Sequence, residues 1–373
     1  MKKFIALLLA GAMVFSVAAC SSKTDDNAGT EDKTATDTTE TEGYEIALIT
    51  DVGNIDDKSF NQGTWEGVVK FAEDNGKTYA YYRPSEDSTE ARLESIAAAI
   101  DKGAKVVVCP GYLFEDAIYT AQDKYPDVQF LLLDGEPHTA DYSEYKTAAN
   151  THCILYREEQ AGYLAGYAAV MDGYRNLGFC GGMAVPAVMR YGYGFVQGAD
   201  AAAAELGEQI NIKYWYSGAF APSDDTKNKM ASWYTEGTEV VFACGGGLYL
   251  SVVAAAEAAD AKVIGVDVDQ SAESELIITS AMKELANSTI LSLGDLYANE
   301  LVWPEDYAGK TATLGAAEGC VGLPTAEGSW RLTNYTVEQY DKLFAGMVDG
   351  TITVSNDTSA QPVTTNSTVD YQE

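Results

Sequence analysis

An apolar strand-like run leads through a polar turn into an amphipathic helix in the stretch Ile49-Thr-Asp-Val-Gly-Asn-Ile-Asp-Asp-Lys-Ser-Phe-Asn-Gln62. In open α/β folds, ligands bind at the carboxyl ends of the strands, where this turn falls. A carboxylate, a hydroxyl, an amide and an aromatic ring together suit a ligand with hydroxyl groups and a flat ring better than a bare ion or a lipid. The side chains of this turn that we expect to line a binding site are Asp51, Asp57, Ser59, Phe60 and Asn61.

Strand-like and helix-like segments alternate along the rest of the chain. Residues 105–109 and 128–134 are almost wholly apolar, as is typical of parallel strands buried on both faces of a sheet. Strands that alternate with helical patterns indicate βαβ units, and a second series begins near His152. We therefore predict an α/β protein with two doubly wound lobes and a cleft between them.

The predicted organisation follows this pattern and the composition of the two ends. The segments are a signal peptide (1–20), a disordered acidic tether (21–43), an N-terminal lobe (44–152 with a return segment at about 276–305), a C-terminal lobe (153–275 with about 306–354) and a flexible tail (355–373). The tether and the tail are rich in Thr, Ser and acidic residues. Such segments bury too little apolar surface to offset their chain entropy.

The N-terminus has the pattern of a targeting segment. Lys2 and Lys3 precede an apolar run, residues 4–14, which is too short for a spanning helix. Val17-Ala-Ala-Cys20 resembles the lipobox of bacterial lipoproteins, in which the cysteine is lipidated. An ordinary secretory signal is the alternative. The lipobox reading is favoured, and it predicts an anchor at Cys20 and a location on the extracytoplasmic face of the cell membrane.

The formal net charge of -32 and the cysteine spacing exclude several classes of partner and cofactor. Phosphate binding needs clustered Lys and Arg, so we expect no nucleic-acid partner. No two cysteines have C-x-x-C spacing, which leaves zinc and thioredoxin-like chemistry without support. We expect the cysteines after Cys20 to be buried thiols without disulfides, and we predict neither a metal nor a cofactor.

Catalytic motifs are incomplete in this chain. Gly309-Lys-Thr311 resembles the end of a P-loop, but Pro304 stands five residues before that glycine. Two histidines, His138 and His152, give little scope for a His-based triad or a zinc site. We therefore predict a binding protein rather than an enzyme.

Several buried strands end in an acid or a glycine cluster, at Asp51, Asp134, Gly246 and Asp267. Each of these residues alone fits a turn or a helix cap better than a binding site. Together they would converge on one crevice at the carboxyl ends of the strands. Carboxylates accept hydrogen bonds from vicinal hydroxyls or ring N–H groups, and glycine lets the backbone approach a ligand.

Three further side chains are candidates for the same crevice. Phe60 and Phe220 could hold a flat ligand between them, although ordinary core packing explains Phe220 better and Phe60 equally well. Lys283 follows an apolar run and could donate to a sugar oxygen, although a surface salt bridge is the simpler reading. From the residues alone, these alternatives stay open.

The chain resembles the basic membrane protein (BMP) family of ABC-transporter substrate-binding lipoproteins, whose characterised members include purine nucleoside receptors. The matching runs are Asp51-Val-Gly-Asn-Ile-Asp-Asp-Lys-Ser-Phe-Asn-Gln62, Glu158-Glu-Gln-Ala-Gly162, Gly181-Gly-Met183, Tyr191-Gly-Tyr-Gly-Phe195 and Ile264-Gly-Val-Asp-Val-Asp-Gln270. The resemblance implies a type I periplasmic-binding-protein fold, in which a hinge joins two doubly wound α/β lobes.

The resemblance also implies roles for the candidate residues. Phe60 and Phe220 correspond to a sandwich around the base, Asn61 and Asp134 to base-reading groups, Asp267 to a ribose-binding acid, and Lys283 to a sugar-side lysine. Asp51 and Gly246 correspond to other positions that line the cleft.

The implied function is a monomeric, lipid-anchored receptor that binds a nucleoside, with purines favoured, and delivers it to the membrane subunits of an ABC permease. A sugar or autoinducer receptor on the same fold is one alternative. An extracellular nucleoside-processing enzyme is a second, less favoured alternative.

Overall fold

The computed structural model describes residues 43–51 and 53–372. The predicted signal peptide, the lipidation residue Cys20 and nearly all of the tether lie outside these residues.

The first lobe is built on a parallel sheet. Within the described residues its strands are β1 (Ile46–Ile49), β2 (Tyr79–Tyr82), β3 (Val106–Pro110), β4 (Gln129–Leu133), β5 (Thr151–Tyr156) and β11 (Lys310–Leu314), in the order β11-β5-β4-β3-β1-β2. Its helices are α1 (Phe60–Asn75), α2 (Thr89–Asp101), α3 (Glu115–Lys124) and α8 (Leu285–Ala298). Leu48 lies in the core with Val68 of α1, whereas the next residue, Ile49, lies with Ile96 of α2 in a separate core on the opposite face. The alternation of side chains along β1 therefore fills both faces of the sheet.

The second lobe repeats this arrangement with one antiparallel edge strand. Its described strands are β6 (Asn176–Gly181), β7 (Ile210–Tyr216), β8 (Val240–Cys244), β9 (Lys262–Asp267), β10 (Ile277–Lys283), β12 (Val321–Gly322) and β13 (Ser367–Tyr371), in the order β12-β10-β9-β8-β6-β7-β13. The short strand β12 is antiparallel to β10. Its helices are α4 (Glu158–Asp172), α5 (Pro186–Leu206), α6 (Asp224–Thr235), α7 (Tyr249–Ala259) and α9 (Val337–Val348). The two doubly wound lobes confirm the predicted fold class.

Helices α4 and α5 pack closely because glycines line their contact. A Cβ atom built on Gly162 would lie 2.1 Å from the Tyr191 carbonyl oxygen, and one on Gly166 would lie 2.2 Å from that of Phe195. No real side chain fits at these distances. Gly162 and Gly166 therefore allow the close contact between α4 and α5.

The sheet pairing moves three of the predicted boundaries. Strand Thr151–Tyr156 pairs within the first sheet, so the first lobe extends past residue 152. Strand Ile277–Lys283 pairs with β9 in the second sheet, so the return to the first lobe begins with α8 and ends with Lys310–Leu314. Strand Ser367–Tyr371 lies in the segment predicted to be a flexible tail, where it forms the edge of the second sheet beside β7.

The connections between the lobes are hydrogen-bonded to one another. Within residues 53–372 the chain crosses between lobes at Arg157, at Glu284 and between β11 and β12. The Arg157 amide donates to the Leu314 carbonyl over 2.9 Å, and the Glu284 amide donates to the Cys320 carbonyl over 2.9 Å. The crossovers therefore form one contiguous hinge.

The cysteines of the described residues are buried and free, as the sequence predicted. They are Cys109, Cys153, Cys180, Cys244 and Cys320.

Candidate ligand-binding site

A cavity of about 910 Å³ opens at the carboxyl ends of the strands of both sheets, and each lobe supplies part of its wall. A volume of this size is at the upper end of the range of small-molecule sites. Of the residues singled out from the sequence, all but Ser59 line it: Asp51, Asp57, Phe60, Asn61, Asp134, Phe220, Gly246, Asp267 and Lys283. The four strand-end residues, Asp51, Asp134, Gly246 and Asp267, thus lie at one cavity, as expected for strands of a parallel sheet, and the roles of all these residues toward a ligand remain predictions.

The N-terminus of α1 is held by carboxylates that precede it. Asp57 accepts the backbone N–H groups of Ser59, Asn61 and Gln62 over 2.9 to 3.0 Å. These N–H groups have no partner inside the helix, so Asp57 caps it and fixes the turn. Asp57 lines the cavity, as expected from the sequence, and its carboxylate is engaged in capping α1.

Asn61 is fully buried and hydrogen-bonded within the protein. Its Nδ2 group donates to Asp51 Oδ1 over 2.7 Å and to Asp57 Oδ2 over 2.9 Å, and its Oδ1 accepts from the Asp51 amide over 3.1 Å. Both amide protons are used, so only a lone pair on Oδ1 is left for a ligand. Asn61 thus holds Asp51 in place. Burial raises the pKa of Asp51, although the bond from Asn61 opposes this rise.

Asp134 follows β4 directly and has a left-handed backbone, with φ at 58°. Its Oδ2 contacts the Lys283 ammonium, and its Oδ1 is buried without a hydrogen-bond partner. Burial raises the pKa of Asp134 to about 7, and the neighbouring lysine offsets only part of that effect. An acceptor of this kind costs free energy unless a ligand donates to it.

Lys283 is the last residue of β10 and lies at the centre of the charged groups. Its Nζ contacts Asp134 and lies 3.1 Å from Glu158 Oε1. It also lies 4.9 Å from the ring centroid of Phe60 and 5.3 Å from that of Tyr156. Burial lowers the pKa of Lys283, but the carboxylates outweigh burial and raise it overall. The ammonium therefore stays charged inside the protein.

Asp267 ends β9 and is also left-handed, with φ at 65°. The Ser59 hydroxyl of the first lobe donates to its Oδ2 over 2.5 Å, so this bond crosses the cleft. Burial raises the pKa of Asp267. A left-handed backbone such as that of Asp134 and Asp267 is typical of binding sites. It directs the side chain in a way that the regular backbone of a strand would not.

The two predicted aromatic residues reach the cavity from opposite lobes. Phe60 begins α1, and its ring lies beside Lys283. Phe220 lies between β7 and α6, where glycines make room for it. A Cβ on Gly182 would lie 2.4 Å from the Phe220 ring, and one on Gly246 would lie 3.2 Å from Phe220 Cβ. A Cβ on Gly245 would lie 2.7 Å from the ring, so Gly182 and Gly245 contact the phenyl ring, whereas Gly246 packs against Cβ and the backbone of Phe220.

Several charged residues at the site were not among the candidates, and Glu158 and Arg190 are the two that bear on Lys283. Glu158, at the start of α4, is fully buried, and Arg190 Nε of α5 donates to its Oε2 over 2.5 Å. Burial opposes ionisation of Glu158, but Lys283 and Arg190 hold its pKa below the ordinary value. Glu158 falls in a run that matches the BMP family, which was an available signal. Arg190 carries no local signal, because only the packing of α5 brings it to the cavity.

Comparison with known proteins identifies the class of protein that this fold and cavity define. A solute-binding protein of an ABC transporter system from Aeropyrum pernix K1 superposes with a TM-score of 0.64 at 22% identity, over 84% of this chain and 87% of that one. Residues 45–357 match the Bmp family, described as "ABC transporter substrate-binding protein PnrA-like". The chain therefore belongs to the Bmp family of ABC-transporter substrate-binding proteins, as the resemblance implied.

Relatives with curated names agree with this assignment. The "ABC transporter nucleoside-binding protein BmpA" of Lactococcus lactis subsp. cremoris is 27% identical over 308 residues, which cover 76% of this chain and 82% of the relative. An uncharacterised lipoprotein of Pyrococcus abyssi is 25% identical over 322 residues, with coverage of 83% and 75%.

The family role implies a small-molecule ligand, a permease partner and an extracytoplasmic location. Within residues 43–51 and 53–372, no helix combines the length and the apolar character needed to cross a membrane.

Proposed function

We propose that this protein binds nucleosides, with purine nucleosides favoured, and delivers them to an ABC permease without chemical change. The observation that carries the proposal is the buried Oδ1 of Asp134, which has no hydrogen-bond partner and belongs to a residue that lines the same cavity as the Phe60 ring. A flat heterocycle stacked on Phe60 could donate a ring N–H to this oxygen. A bare sugar offers no such combination of ring face and N–H group.

The second lobe supplies groups that suit a pentose. Asp267 is buried at the cavity wall, and its carboxylate already accepts the Ser59 hydroxyl. A carboxylate of this kind can accept from vicinal hydroxyls, and the nearby ammonium of Lys283 can donate to a sugar oxygen. Phe220 lies on the second-lobe side, so lobe closure would bring a second ring against the base.

Delivery to a permease agrees with the family, and anchoring through Cys20 agrees with the lipobox-like run Val17-Ala-Ala-Cys20. The nucleoside-binding name of the Lactococcus lactis relative and the lipoprotein name of the Pyrococcus abyssi relative support the two parts separately.

Calorimetry with inosine, guanosine, adenosine, cytidine and ribose tests the ligand class, after mass spectrometry of any molecule that co-purifies. We expect a purine nucleoside to bind most tightly and ribose to bind far more weakly. Phe60→Ala and Phe220→Ala should each weaken nucleoside binding by about 1–3 kcal/mol, by analogy with base stacking on aromatic side chains. Equal affinity for ribose and nucleosides would instead support a sugar receptor.

Chromatography of a nucleoside after prolonged incubation with the protein tests the absence of turnover. We expect the nucleoside to be recovered intact. Release of free base or ribose, lost in an Asp134→Asn variant, would show a nucleoside-processing enzyme instead.

A further inference from the structure

The rim of the cavity carries a strained and exposed aromatic residue, Tyr142. Its backbone is left-handed with φ at 58°, and 63% of its surface is exposed. A non-glycine residue with a bulky side chain rarely adopts this conformation, which costs free energy. Tyr142 nevertheless lines the cavity.

The surrounding turn holds Tyr142 in this conformation through many hydrogen bonds. The Tyr142 amide donates to the Thr139 carbonyl over 2.8 Å. Asp141 Oδ1 accepts the Thr139 hydroxyl and the Ser143 hydroxyl, each over 2.7 Å. The hydrogen bonds of the turn thus impose the left-handed conformation of Tyr142.

The Tyr142 ring rests on a buried support. It stacks on the His138 ring with centroids 4.1 Å apart, and His138 is only 4% exposed. His138 Nε2 lies 3.0 Å from Glu115 Oε2, and Nδ1 lies 2.8 Å from the Thr139 carbonyl oxygen. Both nitrogens are therefore engaged, so the imidazole ring is fixed. One face of the Tyr142 ring therefore packs on His138, and most of the rest of the side chain is exposed to solvent.

The opposite lobe presents an apolar side chain at the same rim. Leu250 of α7 is 49% exposed and lines the cavity. Exposed apolar groups on facing lobes of one cleft become buried when the lobes close over a ligand.

We propose that Tyr142 is a ligand-contacting residue of the closed protein, which covers the outward part of a bound nucleoside and selects for ligands long enough to reach the rim. This inference rests on the proposed function. A free pentose would bind at the Asp267 end of the cavity and would not touch the ring.

The test compares Tyr142→Asn, Tyr142→Phe and wild type by calorimetry with inosine, guanosine and ribose. Asparagine tolerates the left-handed backbone, so Tyr142→Asn removes the ring without adding strain. We expect Tyr142→Asn to weaken nucleoside binding about tenfold, to leave ribose binding unchanged and to keep Tm within about 3 °C of wild type. Tyr142→Phe should retain nucleoside affinity.

A remote control is Tyr81→Asn, because Tyr81 is 47% exposed on the edge strand β2 and does not line the cavity. It should not change affinity. Wild-type affinity for nucleosides in Tyr142→Asn would overturn the inference and leave the proposed function intact. So would a nucleoside affinity in Tyr142→Phe as low as that in Tyr142→Asn. Failure of wild type to bind inosine or guanosine would overturn the proposed function itself, and the inference with it.

Discussion

At the scale of single residues, the cavity depends on the balance between Lys283 and the carboxylates around it. Asp134 and Glu158 both contact this ammonium, and Arg190 adds a second positive charge through Glu158. Because one cation is shared between two acids, Asp134 is only partly compensated and its pKa rises to about 7 with burial. The pKa of Asp134, at the predicted base-reading position, therefore lies near neutral pH.

We expect nucleoside affinity to depend on pH through Asp134. An ionised carboxylate accepts a ring N–H more strongly than the protonated acid does, and burial raises the pKa of Asp134 to about 7. Affinity for inosine should therefore fall about tenfold between about pH 8 and pH 5.5, measured by calorimetry. For stability the sign is opposite, because the folded state holds this proton more tightly than the unfolded chain. The contribution of Asp134 is present at low pH and is lost as pH rises toward 7.

Asp134→Asn serves as the control for this pH dependence, since an amide does not titrate. Its affinity for inosine should be low and nearly constant across the same range. An unchanged slope in Asp134→Asn would assign the pH effect to another group.

At the scale of elements, loop glycines at the ends of β6 and β8 make room for Phe220. Gly182 follows β6, and Gly245 and Gly246 follow β8. Gly245 and Gly246 have positive φ, at 144° and 45°, so they meet a backbone requirement as well. Gly182 has no positive φ, and its tightest neighbour is the Phe220 ring, with the Ala219 carbonyl oxygen next at 3.2 Å from an added Cβ, which makes it the more informative position for substitution.

We expect Gly182→Ala to reproduce the binding defect of Phe220→Ala. The new methyl group would lie 2.4 Å from the ring, so the ring must move and lose its position in the cavity. Nucleoside affinity should fall about tenfold by calorimetry, and the double variant should bind no worse than either single variant.

The matched control is Gly294→Ala in α8, where an added Cβ meets nothing within 4 Å. This change should leave affinity unchanged and stabilise the helix by up to about 1 kcal/mol. Additive losses in the double variant would show that Gly182 acts on binding independently of Phe220.

Part of this organisation was accessible from the sequence, and the reasons are physical. The strand-end residues Asp51, Asp134 and Asp267 were predictable because the strands of a parallel sheet end at one edge. The sheet to which residues 277–283 belong was not predictable, because an apolar strand carries no mark of its neighbours. Arg190 was missed for a related reason: its approach to Glu158 depends on how α4 and α5 pack, which no local pattern reports.

At the scale of the whole molecule, the C-terminal segment completes the second lobe. Strand Ser367–Tyr371 pairs along β7, and the Tyr371 ring lies 5.0 Å from that of Tyr214. The Trp233 indole N–H donates to Gln372 Oε1 over 3.1 Å. Composition alone suggested a loose tail, because Thr, Ser and Asp dominate it. Backbone pairing to an open sheet edge outweighs that tendency.

We expect deletion of residues 363–373 to lower Tm by roughly 5 °C or more in calorimetric unfolding. The reason is that β7 would lose its backbone pairing with β13 and Tyr214 would lose its ring contact with Tyr371. Ligand affinity at low temperature should persist, since this edge lies outside the cavity. As a control, Val363→Ser alters a side chain that is 91% exposed and should leave Tm unchanged. An unaltered Tm after deletion would restore the flexible-tail interpretation.

Backbone hydrogen bonds join Arg157 to Leu314 and Glu284 to Cys320, so the crossovers are linked to one another. Because these segments are joined, we expect the two lobes to rotate about one shared axis. We therefore expect a solute to enter and leave on the side away from that axis, and a permease to meet the protein on that side.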